Sequence, residues 1–318
     1  MSPRTRYVTT RVALTVPTLL AMSVFVFLLI HLVPGDPVRT MLGFRATPEN
    51  VRVIRHDLHL DRSLAGQYVS WLGGIFHGDL GQDYISHEPL TQLLRERIPV
   101  TLELTIGSMA LALLVGVPLG VVAATGRRAS RLATTVFTIA GISVPDFWLG
   151  TLLVLVFAAK LNWLPPTGYV PLTDDPVENL RYMTLPVLTL AVGETAYILR
   201  TTRASMQETL SRPFVTFLRA KGLRRYAIVY RHALRTASLP IVTVAGIQFG
   251  VLLGGAIVVE TLFGLPGVGK LVVTAINQRN YTVVQGSVLV IAALFIVVNL
   301  LTDLLYGALN PRLEAQAE

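Results

Sequence analysis

The chain contains no cysteine and little charge. With no cysteine among 318 residues, disulfide bonds, thiolate metal sites and thiol nucleophiles are excluded, and no redox compartment can be inferred. Only 14% of the residues are charged, whereas 52% are hydrophobic and the mean hydropathy is +0.58. These values lie outside the usual range of a soluble domain of this length. Lipid, rather than water, is therefore the expected solvent for most of the chain.

The apolar residues stand in long blocks, not at the spacing of a half-buried helix or strand. A helix needs about 20 mostly apolar residues to cross the hydrocarbon core, where every backbone polar group must be paired within the segment. Several blocks reach this length, so we predict an all-α polytopic membrane protein with six transmembrane helices. The predicted spans are Arg11–Val33, Val100–Thr125, Leu132–Ala159, Met183–Thr201, Ala237–Leu262 and Thr282–Leu309.

Basic residues predict the orientation. The formal net charge of +8 comes from residues beside apolar blocks, which is typical of membrane orientation and not of nucleic-acid binding. Arg4, Arg6 and Arg11 begin the chain, and an even number of spans places Arg127–Arg131 and the arginines of 200–235 on the same side. The positive-inside rule makes this side the cytoplasm. We therefore predict cytoplasmic tails at residues 1–10 and 310–318, with the first block (11–33) kept as an anchor because no cleavage site follows it.

Two further regions complete the predicted organisation. Residues 34–99 are expected to form an extracytoplasmic loop region, in which prolines and glycines separate short amphipathic helices of a polar cap. Residues 100–309 form a five-helix core, in which the pairs Gly116/Gly120 and Gly250/Gly254 predict close helix packing and prolines are expected to kink or end helices. The loop breakers are Pro34, Gly35, Pro37, Gly73, Gly74, Gly78 and Gly81, and the core prolines are Pro118, Pro145, Pro186 and Pro240.

The core contains a polar stretch, Met206–Leu239, that cannot cross a membrane and is too long for a simple turn, so we expect it to lie in the cytoplasm. Pro213 can open a helix, Gly222 can end it, and a second helix is expected to begin near Arg225. An apolar stripe at i, i+3, i+4 spacing and several arginines mark the first helix as a contact surface. The alternative interpretation is a solvated, positively charged loop. The stripe consists of Phe214, Phe217 and Leu218.

This stretch carries a family resemblance. Phe217-Leu-Arg-Ala-Lys-Gly-Leu223, followed by Tyr230-Arg-His-Ala-Leu-Arg-Thr-Ala-Ser-Leu-Pro240, resembles the cytoplasmic loop of ATP-binding cassette importer permeases, and in particular the branch that imports dipeptides, oligopeptides and nickel. The resemblance implies the type I permease fold of these importers. Further motifs match in order along the chain: His31–Val38, His77–Gly81, Ser143–Trp148, Trp163–Pro165, Val259–Phe263, Pro266–Gly269 and Asn299–Asp303.

The resemblance implies that residues 206–236 are a cytoplasmic coupling segment and that this loop is the coupling helix, which contacts a separate ATPase subunit. Two departures from the family pattern are present: Thr216-Phe217-Leu218 replaces a Glu-Ala-Ala triplet ahead of the glycine, and Asn280 stands where the branch has Asp. The residues implied to bind the ATPase are Phe217, Leu218, Arg219, Ala220, Lys221, Gly222 and Leu223.

The resemblance also implies the partners and the cellular location. These are a second homologous permease subunit, two ATPase subunits, an extracytoplasmic solute-binding protein and the plasma (inner) membrane of a prokaryote. ATP and Mg would be held by the ATPase subunits, so this chain is expected to be a transport subunit without cofactor or enzymatic activity. Peptides are the expected cargo, with nickel, glutathione or oligosaccharides as alternatives.

One motif imitates a nucleotide site. Gly264-Leu-Pro-Gly-Val-Gly-Lys270 fits the pattern GxxxxGK, but Leu271 stands where a Ser or Thr would hold magnesium. The predicted topology places this loop outside the cell, so we interpret it as a turn between spans. His31 and His232 are isolated from other metal-type ligands, and no metal site is expected.

Acidic residues inside predicted spans are the other candidates for function, because ionisable groups are costly in hydrocarbon. Glu103, Glu260 and Asp303 lie near span ends, where a structural role is expected. Asp146 and Glu194 lie deeper, and either could line a translocation path. A proton-coupled secondary transporter is an alternative that would require internal inverted repeats, and a membrane-embedded enzyme would require clustered catalytic groups. Neither pattern is found in the sequence.

Overall fold

The computed structural model describes residues 3–31, 38, 46–57 and 61–309. The predicted loop breakers Pro34, Gly35 and Pro37 and the tail 310–318 lie outside these residues. The described part has no β-strand, and an isolated antiparallel bridge joins Gln82 to Pro89.

The helices follow in chain order, and two of them join π-helical turns. They are α1 (Pro3–His31), α2 (Pro48–Asp57), α3 (Leu64–Phe76), α4 (Leu90–Thr125), α5 (Arg128–Ser143), α6 (Asp146–Leu153) with π1 (Val154–Lys160), α7 (Pro176–Ser211), α8 (Pro213–Ala220), π2 (Ala227–Ala233) with α9 (Leu234–Phe263), α10 (Val268–Asn277) and α11 (Tyr281–Leu309).

Five helical stretches are long and apolar enough to cross a membrane, and a bent pair can supply a sixth span. The pair replaces the predicted straight span Leu132–Ala159, which is a correction: α5 and α6–π1 meet at 103°. Val144 and Pro145 are both extended, with ψ of 121° and 138°. Proline causes this break because it disfavours helical geometry at the residue before it. The straight spans are Thr9–Leu28, Leu90–Thr125, Pro176–Ser211, Ala227–Phe263 and Tyr281–Leu305.

Two spans are longer than their apolar blocks. α4 and α7 each contain 36 residues, or about 54 Å at 1.5 Å per residue, against a hydrocarbon core of about 30 Å. α7 begins where Asp175 accepts hydrogen bonds from the backbone N–H groups of Val177 and Glu178 at 3.0 and 3.1 Å, which caps the helix. Hydropathy alone misplaces these helix ends because the extensions are polar. Pro186 lies inside α7, and Pro240 lies inside α9, so neither ends its helix.

The structure contains two compact units. The first comprises Met1–Val12, Leu102–Leu265 and Val297–Glu318. Within it, a methyl group placed on Gly116 would lie 3.0 Å from Ile198, and one placed on Gly120 would lie 2.5 Å from Thr202. The predicted close packing at this glycine pair is therefore confirmed, and α7 is the neighbour. At the second predicted pair, a methyl group on Gly254 would meet no atom within 4 Å, so no other described helix of this chain packs closely on Gly254.

The second unit comprises Ala13–Thr101 and Pro266–Ile296. Its core joins the start of α4 to α10 and α11, and α3 packs through Tyr68 and Trp71 against Phe27. The helix α3 is apolar and contains Gly73 and Gly74, so the expected polar cap and the break at these glycines are wrong here. Gly78 and Gly81 have φ of 81° and 87° and do break the chain, as predicted. The core residues are Leu90, Leu93, Leu94, Val268, Leu271, Ala275 and Val283.

Candidate coupling segment and acidic pair

The coupling segment has the predicted helix, glycine turn and second helix. Pro213 occupies the first turn of α8, and the backbone at Arg212 is extended. Gly222 follows with φ of 78°, a left-handed conformation that glycine adopts at no steric cost. Its N–H group donates to the carbonyl of Arg219 at 2.9 Å, and helix resumes at Arg225 before becoming π2.

The side chains of α8 divide into an anchored face and an exposed face. Val215 is only 1% exposed and attaches the helix to the rest of the unit, a role that the sequence analysis missed. Its i, i+3 spacing from the half-buried Leu218 is the signal that could have identified it. Phe217 is 59% exposed, and the Lys221 ammonium nitrogen lies 4.7 Å from the centroid of its ring. The predicted apolar stripe is therefore present, but its central aromatic residue is uncovered.

The base of this segment is a buried apolar cluster between α4, α7 and the start of the second helix. Met206 and Ala233 are completely buried, and Val121 is 1% exposed. A cluster this tightly packed transmits displacement because protein interiors have low compressibility. The cluster comprises Val121, Met206, Val229, Ala233 and Ala237, with Ala124, Leu210 and Leu234 packed against it.

The deeper acidic residues lie in the same compact unit. Glu194 on α7 is 7% exposed, and the Gln248 Nε2 atom on α9 donates to its Oε2 atom at 3.1 Å. Asp146 begins α6, and its Oδ1 and Oδ2 atoms lie 3.7 and 3.9 Å from where methyl groups on Gly193 and Gly255 would be. Because Gly193 precedes Glu194 in α7, Asp146 lies beside the segment of α7 that carries Glu194. Three helices therefore bring two acids and an amide into one neighbourhood.

The other acids in the spans have local structural surroundings. The Tyr169 hydroxyl donates to Glu103 at 2.9 Å, and burial, together with this hydrogen bond, raises the pKa of Tyr169. Asp303 forms an ion pair with Arg11 at 2.9 Å. Glu260 is completely buried at the end of α9. Glu103 and Asp303 thus each have a partner within the chain, and their structural role stays a prediction.

The GxxxxGK motif lies at a helix end and not after a strand. Gly264 caps α9 with φ of 70°, and the N–H group of Leu265 donates to the carbonyl of Glu260 at 2.9 Å. The short helix α10, which was not predicted, follows at Val268. A phosphate-binding loop follows a β-strand, whereas this segment follows the helix α9. We therefore interpret it as the turn between α9 and α10. Across the residues that the structure describes, no three His, Asp or Glu side chains converge as metal ligands.

Comparisons with known proteins place the chain in a family. Residues 116–315 match the model of the binding-protein-dependent transport system inner membrane component, and residues 4–105 match the corresponding N-terminal model. A Brucella abortus protein, named as a peptide transport system permease, is 41% identical over 304 residues, covering 95% of this chain and 96% of its own length. The glutathione transport system permease protein of Pectobacterium atrosepticum is 41% identical over 298 residues, covering 93% and 94%.

Solved structures agree with this assignment at the level of the fold. The methionine ABC transporter MetNI in inward-facing conformations matches with a TM-score of 0.58 and 19% identity, covering 70% of this chain and 99% of that chain. At this identity the likeness shows the fold alone. The family models and the close relatives carry the identification: the chain belongs to the binding-protein-dependent transport system inner membrane component family, the multi-pass permease subunits of ATP-binding cassette importers, in which a partner subunit hydrolyses ATP.

Proposed function

We infer that the chain forms half of a translocation pathway for peptides and takes energy from a separate ATPase through residues 217–223. The observation that carries this proposal is the exposed helix α8, which follows α7, is attached through the buried Val215 and is closed by the left-handed Gly222. The names of the relatives support a peptide or a peptide-like solute such as glutathione. A second permease subunit, a second ATPase subunit and an outer solute-binding protein complete the proposed complex.

Coupling would start at the exposed side of α8. Phe217, Arg219 and Lys221 offer an aromatic ring and two cations to a partner, whereas Val215 fixes the opposite side. A push on α8 would reach α7 through the buried cluster around Met206. Glu194 lies 17 residues before the end of α7 at Ser211, or about 26 Å along the helix. The same rigid helix therefore connects the proposed ATPase contact to the proposed path.

The path would present carboxylates to the solute. Neither Asp146 nor Glu194 forms an ion pair with a base among the described residues. A charged side chain inside a membrane costs free energy, and such residues usually pair with an opposite charge or line a pathway for solutes or ions. The amino terminus of a peptide is largely protonated at neutral pH, so its ammonium group is a chemically suitable partner for these acids.

The test is solute-stimulated ATP hydrolysis by the reconstituted complex carrying Ala220→Glu. Ala220 is exposed at the end of α8, and a carboxylate there would oppose contact without changing the core. We expect stimulated hydrolysis and uptake to fall together, by at least tenfold, while the subunits still assemble. Ala129→Glu, the same change at an exposed position of α5, is the matched control and should keep both activities. Equal activity in both variants would contradict the proposed contact.

A further inference from the structure

A groove of about 440 Å³ lies behind the coupling helix, within the first compact unit. Its volume falls in the range of small-molecule sites, about 300–1,000 Å³. The ends of α4 and α7, the turn after α8 and the start of the second helix all contribute to its wall. The lining residues are Ala124, Thr125, Leu210, Arg219, Leu223, Arg225, Ile228 and Val229.

The chemistry of the groove combines an apolar floor with two guanidinium groups. Five of the lining side chains are aliphatic, and Arg219 and Arg225 supply positive charge. The Arg225 Nη2 atom donates to the carbonyl of Thr125 at 2.8 Å, which leaves other N–H donors of its guanidinium for a ligand. Neither arginine forms an ion pair with a carboxylate in the described part of the chain. The complementary ligand is an anion with an apolar tail.

The position of the groove indicates where that ligand comes from. The apolar span α4 ends at Thr125 and is followed by Arg127 and Arg128. Tyr226 and Tyr230, 73% and 45% exposed with ring centroids 4.7 Å apart, are next in sequence to the lining residues Arg225 and Val229. Basic and aromatic residues at a span end are typical of the lipid headgroup level. We propose that the groove binds an anionic phospholipid, with the headgroup on Arg225 and Arg219 and the acyl chain along Leu210, Ile228 and Val229.

The groove shares Arg219 and Leu223 with the proposed ATPase contact but lies behind the exposed side of α8. Phe217 and Lys221, on the uncovered side of α8, do not line the groove. A lipid bound in the groove would contact both the end of α4 and the turn after α8, because Ala124 and Leu223 both line the groove. It would therefore support the turn from the membrane side while the outer face of α8 stays free. Because Arg219 and Leu223 also belong to the proposed ATPase contact, the titration is made on the chain without ATPase subunits, and their addition is a separate step.

The test is native mass spectrometry of the purified full chain, titrated with phosphatidylglycerol or with phosphatidylcholine of the same acyl chains. We expect tighter binding of phosphatidylglycerol, and Arg225→Gln should weaken it roughly fivefold, the effect of about one cation at a lipid surface. Ala124→Trp, which fills the groove without changing charge, should weaken both lipids. Arg231→Gln removes the same charge from an exposed residue outside the groove and should leave binding unchanged.

Three results would overturn the proposal. Equal affinity for the two lipids would remove the role of the headgroup charge. An equal loss in Arg231→Gln and Arg225→Gln would show diffuse attraction in place of a site. Displacement of bound phosphatidylglycerol by the ATPase subunits would assign the groove to protein. Glycerol 3-phosphate, the headgroup without chains, should bind at least tenfold more weakly than the lipid; equal binding would indicate a simple anion site. Melting temperatures of all variants check that each is folded.

Discussion

The proposed function assigns recognition of the solute to Glu194 and Asp146. Glu194 is held by Gln248 across two helices, and Asp146 stands at a helix start beside Gly193 and Gly255. The glycines leave space next to the Asp146 carboxylate that a larger side chain would occupy. In the proposed function, the ammonium group of a peptide would bind next to these two acids.

Removing one of these charges should selectively weaken solutes that carry an ammonium group. In the reconstituted complex, Glu194→Gln should raise the KM for a dipeptide about tenfold, the value of a lost charge-assisted hydrogen bond. Uptake of the N-acetylated dipeptide should change little because it lacks the ammonium group. Glu178→Gln, the same change at the start of α7 where Glu178 pairs with Arg181, should leave the KM unaltered. An equal rise for both solutes would assign Glu194 a structural role.

Asn280 explains one departure from the family pattern. Its Nδ2 atom donates to the Asp83 carboxylate, which also accepts from the N–H group of Ile85 and the hydroxyl of Ser86. Asn280 is 2% exposed, so this contact is shielded from water. An aspartate at position 280 would instead place two carboxylates face to face.

We therefore expect Asn280→Asp to destabilise the chain by about 1–3 kcal/mol, because a buried donor is lost and like charges meet. The loss should shrink at low pH, where one carboxyl can carry a proton and donate. The double variant Asp83→Asn with Asn280→Asp reverses the pair and should recover most of the stability. Thermal unfolding in detergent measures both effects. A double variant no more stable than Asn280→Asp would show that the pairing does not matter.

At the scale of helices, the glycines of α4 decide how closely α7 can pack. A methyl group on Gly120 would lie 2.5 Å from the Thr202 Cβ and 2.9 Å from the Leu199 carbonyl oxygen. Gly120→Leu should therefore destabilise the fold by about 1–3 kcal/mol or more through overpacking. Gly254→Leu, on the open face of α9, is the matched control and should leave the melting temperature of the isolated chain unchanged. The opposite order of melting temperatures would contradict this packing.

The elements that sequence could predict are those fixed by local chemistry. Pro213 and Gly222 set backbone dihedrals on their own, so the start and end of α8 were predictable. The bend between α5 and α6 could be predicted only in part. The proline predicts a break in the helix, but tertiary packing sets the 103° angle between the two helices. α10 was missed because a helix of 10 residues is too short to read as a span. Gln248, separated from Glu194 by 54 positions, leaves no local pattern that could pair them.

At the scale of the whole molecule, the chain supplies the spans, an acidic pair and the exposed helix α8, and in the proposed function its partners would supply the energy and deliver the solute. Its cytoplasmic termini remain a prediction from the arginines of 200–235 and the positive-inside rule. Within this topology α8 would face the compartment that contains ATP, and the turn at Gly264 would face away from it. ATP hydrolysis on the cytoplasmic side would then move α8, and this movement would be transmitted to the spans that carry Asp146 and Glu194.

The most direct test of this account is dipeptide uptake by proteoliposomes that contain both permease subunits, the ATPase subunits and the solute-binding protein. Uptake should require hydrolysable ATP, should stop with a non-hydrolysable analogue, and should be absent when the ATPase subunits are omitted. An imposed proton gradient should not replace ATP. Uptake that persists without the ATPase subunits and follows the proton gradient would contradict the account and make Asp146 and Glu194 candidates for proton coupling.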